Sequence, residues 1–335
     1  MNLSECLDII LITWNRKDFL RKTLDYIFND DSPIKYCDIT IFDNHSTDGT
    51  GELIEEYKKL HPNITHIVNK YNIGGNANIC RAIEYPSKKY FWVLCDDDDF
   101  DWSNWQEIEY AMEQDYDAIM VEWKHVIPKT QNEGFIWNNM CFLPSTIYKT
   151  ENVTDDVIYN AYANILYNFP HLALSAHILN ENKRIFIPSK KIIDAGIHEQ
   201  EYYATSVYVN PKIHYRPRNF NLFTGIICSA KMILDKTKRA RAMSCLYQGR
   251  SLFYSIIFMY KTFNKNIFNL MDIFLCFNLS QKLIMIIASI LYLISVLFCW
   301  FAYFEKKEDG IYIHMFGNKF KTYLFRWKSK DRIKK

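Results

Sequence analysis

Residues 89–101 read KYFWVLCDDDDFD, so that an apolar run ends on four consecutive aspartates. The six residues Tyr90 to Cys95 are apolar, aromatic or β-branched, and this composition predicts a buried strand. Asp96 to Asp99 follow in the loop at the carboxyl end of that strand, which is where open α/β sheets place their ligands. The stretch therefore predicts a ligand site in this loop.

The four aspartates favour a bound cation. Adjacent carboxylates about 4 Å apart repel by about 1 kcal/mol in water and by about 4 kcal/mol at an effective dielectric of 20. A divalent cation that prefers oxygen ligands, Mg²⁺ or Mn²⁺, offsets this repulsion and can bridge to phosphates. The alternative is a solvated acidic loop, but the buried strand directly before the aspartates favours the cation site.

Further strand and helix patterns surround this stretch. Apolar strands are predicted at Leu7–Thr13, Asp38–Phe42 and Thr65–Val68, and each is followed by a polar turn and a helical pattern. Strands that alternate with helices at this spacing predict βαβ units around a parallel sheet, an α/β fold. The polar turns would then meet at one edge of the sheet and form a nucleotide site.

Length and composition narrow the class of protein. At 335 residues the chain exceeds one typical domain, which predicts one large domain with an appendage. Forty basic residues against 38 acidic ones argue against nucleic acid as a partner. Nine scattered cysteines without a CxxC pair indicate reduced thiols in a cytosolic setting, and no signal peptide is expected at the N-terminus.

Four motifs carry a resemblance to a known family. WNR at 14–16, FDNHSTDGT at 42–50, NIGGNANICRAI at 72–83 and VLCDDDD at 93–99 occur in this order. Together they resemble the N-terminal half of family 2 glycosyltransferases, in particular the abequosyltransferase-like branch of bacterial surface-polysaccharide enzymes. The resemblance covers about residues 5–105. It implies a GT-A fold, a Rossmann-like domain that uses nucleotide-diphosphate sugars.

The resemblance also implies roles for residues at the strand ends. Asp43 would accept hydrogen bonds from the base, Asp98 would ligate Mn²⁺ or Mg²⁺, and Asp96 would hold the metal or the ribose. The metal would neutralise the leaving diphosphate. The donor-nucleotide residues would be Thr13, Asn15, Arg16, Asp43, Asn72, Gly74, Asn78, Arg81, Asp96 and Asp97.

Some of these residues have simpler explanations, and some positions depart from the family pattern. Asp43 and Asp48 would alternatively only cap the helix from Glu52, and Asn78 and Arg81 would be surface helix residues. Trp14 replaces the usual tyrosine, and Ile79 and Cys80 stand where many members have Asn and Arg.

An inverting transferase needs a general base near the acceptor hydroxyl. Many family members supply an aspartate at a helix start, where this chain has Pro170 and His171. Members of the abequosyltransferase-like branch carry a histidine there, and an ordinary imidazole pKa near 6.5 suits this role. The alternatives are that His171 is a core or capping residue, or that Asp155 or Asp156 is the base. Acids in a first helical turn are, however, ordinary helix-dipole partners.

The C-terminal region predicts membrane attachment. Residues 283–304 are 22 uncharged, mostly apolar residues, long enough for a transmembrane helix. The tail 305–335 has ten basic residues against four acidic ones, which favours the cytoplasmic side. Because the catalytic domain also needs cytosolic donors, a re-entrant hairpin or an interfacial helix on anionic lipid fits better than one spanning helix. The alternative is a buried helix of a soluble dimer.

The expected organisation is a glycosyltransferase domain over residues 1–220 and a helical membrane-associating region over 221–335. The first domain has a nucleotide-sugar half, 1–105, and an acceptor half, 106–220. The expected function is inverting, metal-dependent transfer of a sugar to a lipid-linked or surface-polysaccharide acceptor at the cytoplasmic face of the bacterial inner membrane. The alternatives are a polyprenyl-phosphate glycosyltransferase and an inactive, membrane-bound sugar-binding protein.

Overall fold

The computed structural model describes residues 2–122, 132–194, 222–244, 274–275, 277, 279–297, 302–307, 310–315 and 318–322. The chain divides into two compact units. The first comprises residues 1–248 together with 266–276, and the second comprises 249–265 and 277–335. The boundary predicted at residue 220 and the tail beyond residue 322 lie outside the described residues.

The first unit is built on a seven-stranded sheet in the order β3-β2-β1-β4-β7-β6-β8. Its strands are β1 (Leu7–Thr13), β2 (Asp38–Asp43), β3 (Ile64–Val68), β4 (Tyr90–Leu94), β6 (Ala118–Met120), β7 (Thr146–Lys149) and β8 (Ile185–Phe186). All five residues of β4 are buried, as their apolar composition predicts. The predicted strand–helix alternation is confirmed through β4.

The sheet is mixed, whereas the sequence predicts a parallel one. β1 pairs in parallel with β2 and β4, but β7 runs antiparallel to β4 and β6. The reversal brings the residues before β7 to the carboxyl end of β4. The indole nitrogen of Trp92 in β4 accordingly donates to the carbonyl of Pro144 at 2.7 Å.

Helices cover the sheet of the first unit. They are α1 (Leu3–Cys6), α2 (Lys17–Phe28), α3 (Thr50–Leu60), α4 (Gly75–Glu84), α5 (Trp105–Glu113), α6 (Glu133–Met140), α7 (Asp155–Ala163), α8 (Leu172–Asn180), α9 (Leu222–Ser229) and α10 (Lys236–Ser244). Leu20, Leu24 and Ile27 lie at helical spacing in α2 and are fully buried against the core. α7 ends at Ala163, and a 3₁₀ turn then covers Ile165–Tyr167.

A small two-stranded sheet follows the aspartate run. β5 (Asp99–Phe100) pairs antiparallel with β9 (Ile193–Asp194). The ring of Phe100 packs edge-on against Trp92 and lies 6.0 Å from the ring of Tyr26 in α2. This aromatic packing holds the chain immediately after the aspartates against the core.

The second unit contains one helix and one antiparallel sheet in its described part. The helix α11 covers Leu279–Leu297, and the sheet consists of β10 (Ala302–Lys307), β11 (Gly310–Met315) and β12 (Asn318–Thr322). The predicted apolar helix over 283–304 is therefore wrong in its bounds, because residues 302–304 belong to a strand. The strands also correct the prediction of a wholly helical region. Within the described ranges, no helix combines the length and apolar composition needed to cross a bilayer.

Candidate active site at the carboxyl edge of the sheet

The ends of β1, β2 and β4 lie close together at the point where the strand order in the sheet changes direction. β2 and β3 lie on one side of β1 and β4 lies on the other, so the switch point falls between β1 and β4. Thr13 ends β1 and pairs with Asp43 at the end of β2. The hydroxyl of Thr13 donates to Asp96 Oδ2 at 2.7 Å across the switch point. The motifs found in sequence are thus neighbours in space.

Arg16 links the first two aspartates of the run. Its two terminal nitrogens lie 3.1 Å from Asp96 Oδ1 and 2.7 Å from Asp97 Oδ2. Burial raises the pKa of Asp96 to about 7, with a further contribution from Asp97, although Arg16 and Thr13 act in the opposite direction. The guanidinium therefore offsets part of the repulsion within the aspartate run.

Asp98 is an aspartate of the run whose hydrogen-bonding capacity is not fully used. It is 3% exposed, and its Oδ2 has no hydrogen-bond partner. Burial, followed by the charges of Asp97 and Asp96, raises its pKa well above the usual range. A buried oxygen without a donor is a position that a cation would stabilise.

The possible metal ligands are Asp97, Asp98 and Cys95, each of which offers one atom within 4.8 Å of the others. The predicted pair of Asp98 and Asp96 stays a prediction, and the Asp96 oxygens face Thr13 and Arg16. Burial and the neighbouring carboxylates hold the pKa of the Cys95 thiol well above its usual value. A protonated thiol is a poor ligand for a hard cation, so the two carboxylates fit Mg²⁺ or Mn²⁺ best.

The turns after β1 and β2 are tied to each other. The Asn15 amide N–H donates to Ser46 Oγ at 2.9 Å, and the Asn15 side-chain oxygen accepts from the Thr47 amide at 2.7 Å. Asp48 accepts from the Lys17 amide at the start of α2 and from Thr50 at the start of α3. Asp48 thus bonds to the first residue of α3, although the N-cap position itself is Gly49. Asn15 holds the two turns together.

Asp43 is buried at the end of β2. Its Oδ1 accepts from the Ser46 amide at 2.8 Å, and its Oδ2 lies 3.6 Å from Nε2 of His66. Burial would raise the pKa of Asp43, but His66 and Ser46 outweigh burial and lower it. Asp43 therefore stays ionised at neutral pH. It fixes the turn, and it does not cap the helix that begins at Thr50.

Asn78 and Arg81 in α4 contact other protein groups. Asn78 is 2% exposed, donates to the Phe42 carbonyl at 3.1 Å and accepts from Asn69 at 2.9 Å. Arg81 donates to the Asn69 side chain, and its guanidinium lies 5.6 Å from the centre of the Phe42 ring. Both ends of the Asn78 amide thus bond within the protein, and its contact with the donor stays a prediction.

A second set of amides shapes the loop before α4. Asn44 donates to Asn72 Oδ1 at 2.9 Å, and its own oxygen accepts from the Ile73 amide at 3.0 Å. Asn72 also accepts from the Gly74 amide. Gly74 has φ of +86°, which a glycine adopts without strain, and no atom lies within 4 Å of the position that a Cβ would occupy. Space for a ligand therefore exists at Gly74.

His171 is a buried residue that contacts the segment before β7. It precedes α8, is 4% exposed, and its Nε2 donates to the carbonyl of Cys141 at 3.1 Å. Cys141 is three residues before Pro144, which contacts the carboxyl half of β4 through Trp92. Nδ1 is buried without a hydrogen-bond partner, and burial lowers the pKa of the ring to about 4. The neutral ring therefore keeps a free lone pair at Nδ1.

Asp155 and Asp156 begin α7 at the opposite edge of the sheet. The Thr150 amide donates to the carbonyl of Lys89, which precedes β4, and α7 starts five residues later. Both aspartates are exposed, and Thr154 caps the helix by accepting from the Val157 amide. Neither aspartate is therefore at the edge that holds the aspartate run, and their assignment as an alternative base stays a prediction.

A cavity of about 500 Å³ adjoins the aspartate run on the side of α2. It is lined by Phe19, Lys22, Thr23, Asp25, Tyr26, Asn29, Asp97, Asp98 and Asp99. The two proposed carboxylate ligands thus face open volume. The sequence does not predict this cavity, because its α2 wall is an amphipathic helix face without a motif. The contacts of His66 and Asn69 are not predicted either, because both are single polar residues around a short edge strand.

Residues 8–172 match the family model described as glycosyl transferase family 2. The abequosyltransferase RfbV of Salmonella typhimurium is 32% identical over 87 residues, 26% of this chain and 26% of the relative. The poly(ribitol-phosphate) beta-glucosyltransferase of Bacillus spizizenii is 22% identical over 215 residues, 62% of this chain and 31% of the relative. The matches thus span about a quarter and a third of the lengths of these relatives.

The fold of the chain is similar to that of solved structures of S. aureus TarS. S. aureus TarS 1-349 in complex with UDP-GlcNAc has a TM-score of 0.60 at 15% identity, over 92% of this chain and 97% of that one. This likeness agrees with the mixed α/β, GT-A-like architecture around the switch point. Residues 8–172 therefore form a glycosyltransferase family 2 domain.

Proposed function

We propose that the protein is an inverting, metal-dependent glycosyltransferase that moves a sugar from a nucleotide diphosphate to a hydroxyl of a surface-polysaccharide or lipid-linked acceptor. The observation that carries this proposal is the unpartnered Oδ2 of buried Asp98 beside Asp97 at the switch point. The enzyme family of the domain and the polysaccharide-related names of the relatives support the reaction class and the acceptor class.

Asp97 and Asp98 would hold Mg²⁺ or Mn²⁺. When bound, the metal would neutralise the charge that develops on the leaving diphosphate. Asp96 is held by Thr13 and Arg16 at hydrogen-bond distance, so it faces the ribose side of the switch point. Arg16 already pairs with Asp96 and Asp97, and it therefore orients both carboxylates before the donor arrives.

Asp43 would accept from the base of the donor, and Gly74 would leave room for its approach. A carboxylate whose pKa is lowered remains an acceptor, so it matches a base that presents a ring N–H. TarS was solved in complex with UDP and with UDP-GlcNAc, which supports a nucleotide-sugar donor for this chain as well.

His171 would take the proton of the acceptor hydroxyl. Its Nε2–H is used by the Cys141 carbonyl, so Nδ1 carries the lone pair that a general base needs. The lowered pKa keeps the ring neutral at physiological pH. The proton leaves the hydroxyl as its oxygen attacks the sugar from the side opposite the diphosphate, which inverts the anomeric configuration.

We further propose that α11 lies on the cytoplasmic face of the bacterial inner membrane. Leu283, Ile287, Ile290 and Ile294 are separated by three or four residues and are 44–59% exposed, which makes an apolar stripe along one side of the helix. Lys306, Lys307, Lys319 and Lys321 lie in the strands that follow and would favour anionic lipid.

Vesicle sedimentation tests the membrane proposal. The double variant I287D/I290D should bind vesicles that contain anionic lipid at least tenfold more weakly than wild type. Leu60→Asp replaces an exposed leucine of the first unit and should bind like wild type. Equal binding by wild type and I287D/I290D would contradict this assignment.

Calorimetry with the full chain tests the catalytic proposal. UDP, GDP, CDP and dTDP are titrated with Mn²⁺ and with EDTA into wild type, Asp98→Asn and Asp99→Asn. We expect Mn²⁺-dependent binding that Asp98→Asn loses and Asp99→Asn keeps, since Asp99 is exposed. If no nucleotide binds to the folded wild type, the transferase proposal is wrong and the inactive sugar-binding alternative gains support.

A further inference from the structure

His66 lies behind Asp43 on one face of the sheet. It is in β3 and pairs with Ile41 of β2, two residues before Asp43, so both side chains point to the same face. Its ring is 7% exposed and is placed between two carboxylates. Nδ1 lies 3.2 Å from Oε1 of Glu55 in α3, and Nε2 lies 3.6 Å from Oδ2 of Asp43.

The two carboxylates determine which protonation state of the ring fits. An ionised carboxylate only accepts hydrogen bonds, so the contact with Glu55 requires a hydrogen on Nδ1. Nε2 is buried and has no hydrogen-bond partner. A neutral ring would direct its lone pair at Asp43, whereas an imidazolium presents an N–H to each carboxylate. Among the residues that the structure describes, Lys58 also joins this network, with its Nζ 3.1 Å from Glu55 Oε1.

The charged ring also restricts how Asp43 can turn. Oδ1 of Asp43 is held by the Ser46 amide, and Oδ2 is directed toward His66. The lone pairs that remain on the two oxygens are those a nucleobase can use. Without His66, Asp43 would be a buried carboxylate with one fixed oxygen, and its ionised form would be less stable.

We propose that His66 is a positioning residue for the donor base: its imidazolium, anchored by Glu55, keeps Asp43 ionised and oriented to accept from a ring N–H. This inference rests on the proposed function and extends it to β3, which carries no motif. It implies a preference for uracil-type bases over cytosine, because the ring N3 of cytosine is itself an acceptor. It also implies that binding of the base depends on an N–H that Nε2 of His66 presents to Asp43.

The test is calorimetric binding of UDP and CDP to the full chain with Mn²⁺, from about pH 6 to about pH 8.5. His66→Gln should bind UDP about tenfold more weakly at the acidic end, the loss of one charge-assisted contact. Its UDP affinity should be flat with pH, whereas that of wild type should fall as pH rises. Its preference for UDP over CDP should also shrink. His61→Gln is the matched control, since His61 stacks on Phe28 and lies outside the network.

The possible outcomes distinguish a failure of the proposed function from a failure of the role of His66. If wild type binds none of the nucleotides, the proposed function is wrong. If wild type prefers UDP but His66→Gln has the same affinity, pH profile and base preference, the role of His66 is refuted. Preference of wild type for CDP refutes it as well. Should His66→Gln not fold, Glu55→Gln at a half-exposed position removes the anchor and should shift the pH dependence to lower pH.

Discussion

Replacing Asp98 by asparagine should stabilise the metal-free protein and remove its response to divalent cations. Asp98 is 3% exposed, and the ligand atoms of Asp97 and Asp98 lie within 4.8 Å of each other. Two like charges at that separation repel by about 3 kcal/mol at an effective dielectric of 20 and by about 1 kcal/mol in water. A neutral amide of similar size removes this repulsion. We therefore expect Asp98→Asn to raise the free energy of unfolding by about 1–3 kcal/mol without metal.

The sign of this effect depends on pH. The pKa of Asp98 is raised in the folded state, so the folded protein holds that proton more tightly than the unfolded chain. Stability is therefore lost as pH rises from the usual carboxyl range through the raised pKa. The gain from Asp98→Asn should be largest at alkaline pH and should vanish near pH 4, where the wild-type carboxyl is protonated in both states.

Urea denaturation in EDTA and in Mn²⁺ measures both effects. Wild type should gain about 2.7 kcal/mol at a metal concentration one hundred times its Kd, and Asp98→Asn should gain nothing. Asp99→Asn, at an exposed position in the same run, controls for a general change of charge. An Asp98→Asn variant that is less stable than wild type in EDTA, or that still responds to Mn²⁺, would refute the metal-site argument.

Three further predictions follow from single contacts. Burial lowers the pKa of His171 to about 4, so the free energy of unfolding should fall by up to about 3 kcal/mol between pH 6.5 and pH 4. His171→Gln should remove this fall in urea denaturation. Arg16→Met removes the cation between Asp96 and Asp97 and should weaken UDP binding at least tenfold in calorimetry. Arg21→Met, at a half-exposed position in α2, should not weaken it. Gly225→Ala places a methyl group against the Tyr167 carbonyl and should lower the free energy of unfolding by about 1–3 kcal/mol. Gly51→Ala makes only an ordinary contact with His66 and should raise the free energy of unfolding by about 0.5–1 kcal/mol in the same urea denaturation.

Local patterns were sufficient to predict the elements that build the nucleotide half of the domain. The apolar run that became β4 has no polar interruption, so burial on both faces was readable from composition alone. The aspartate run could be assigned to the carboxyl end of β4 because a strand must stop where its apolar residues stop. The identity of the family also followed from motifs in order along the chain.

The acceptor half was harder to predict because its arrangement depends on long-range pairing. The reversal of β7 is a property of its partners β4 and β6, and nothing within TIYK indicates strand direction. That reversal sends Asp155 and Asp156 to the far edge of the sheet and returns His171 to the near one. Likewise, the apolar run at 283–304 contains no signal that its last residues pair as a strand with β11.

The sequence by itself determined the α/β class, the family and the presence of an acidic site after β4, because these depend on residue type and order. Only the tertiary structure decided which aspartate faces which partner. Asp96 faces Thr13 and Arg16, and Asp98 has a buried oxygen without a partner, although the four carboxylates are chemically identical in the sequence. The physical reason is that hydrogen bonding and burial act through space, so identical neighbours along the chain acquire different environments.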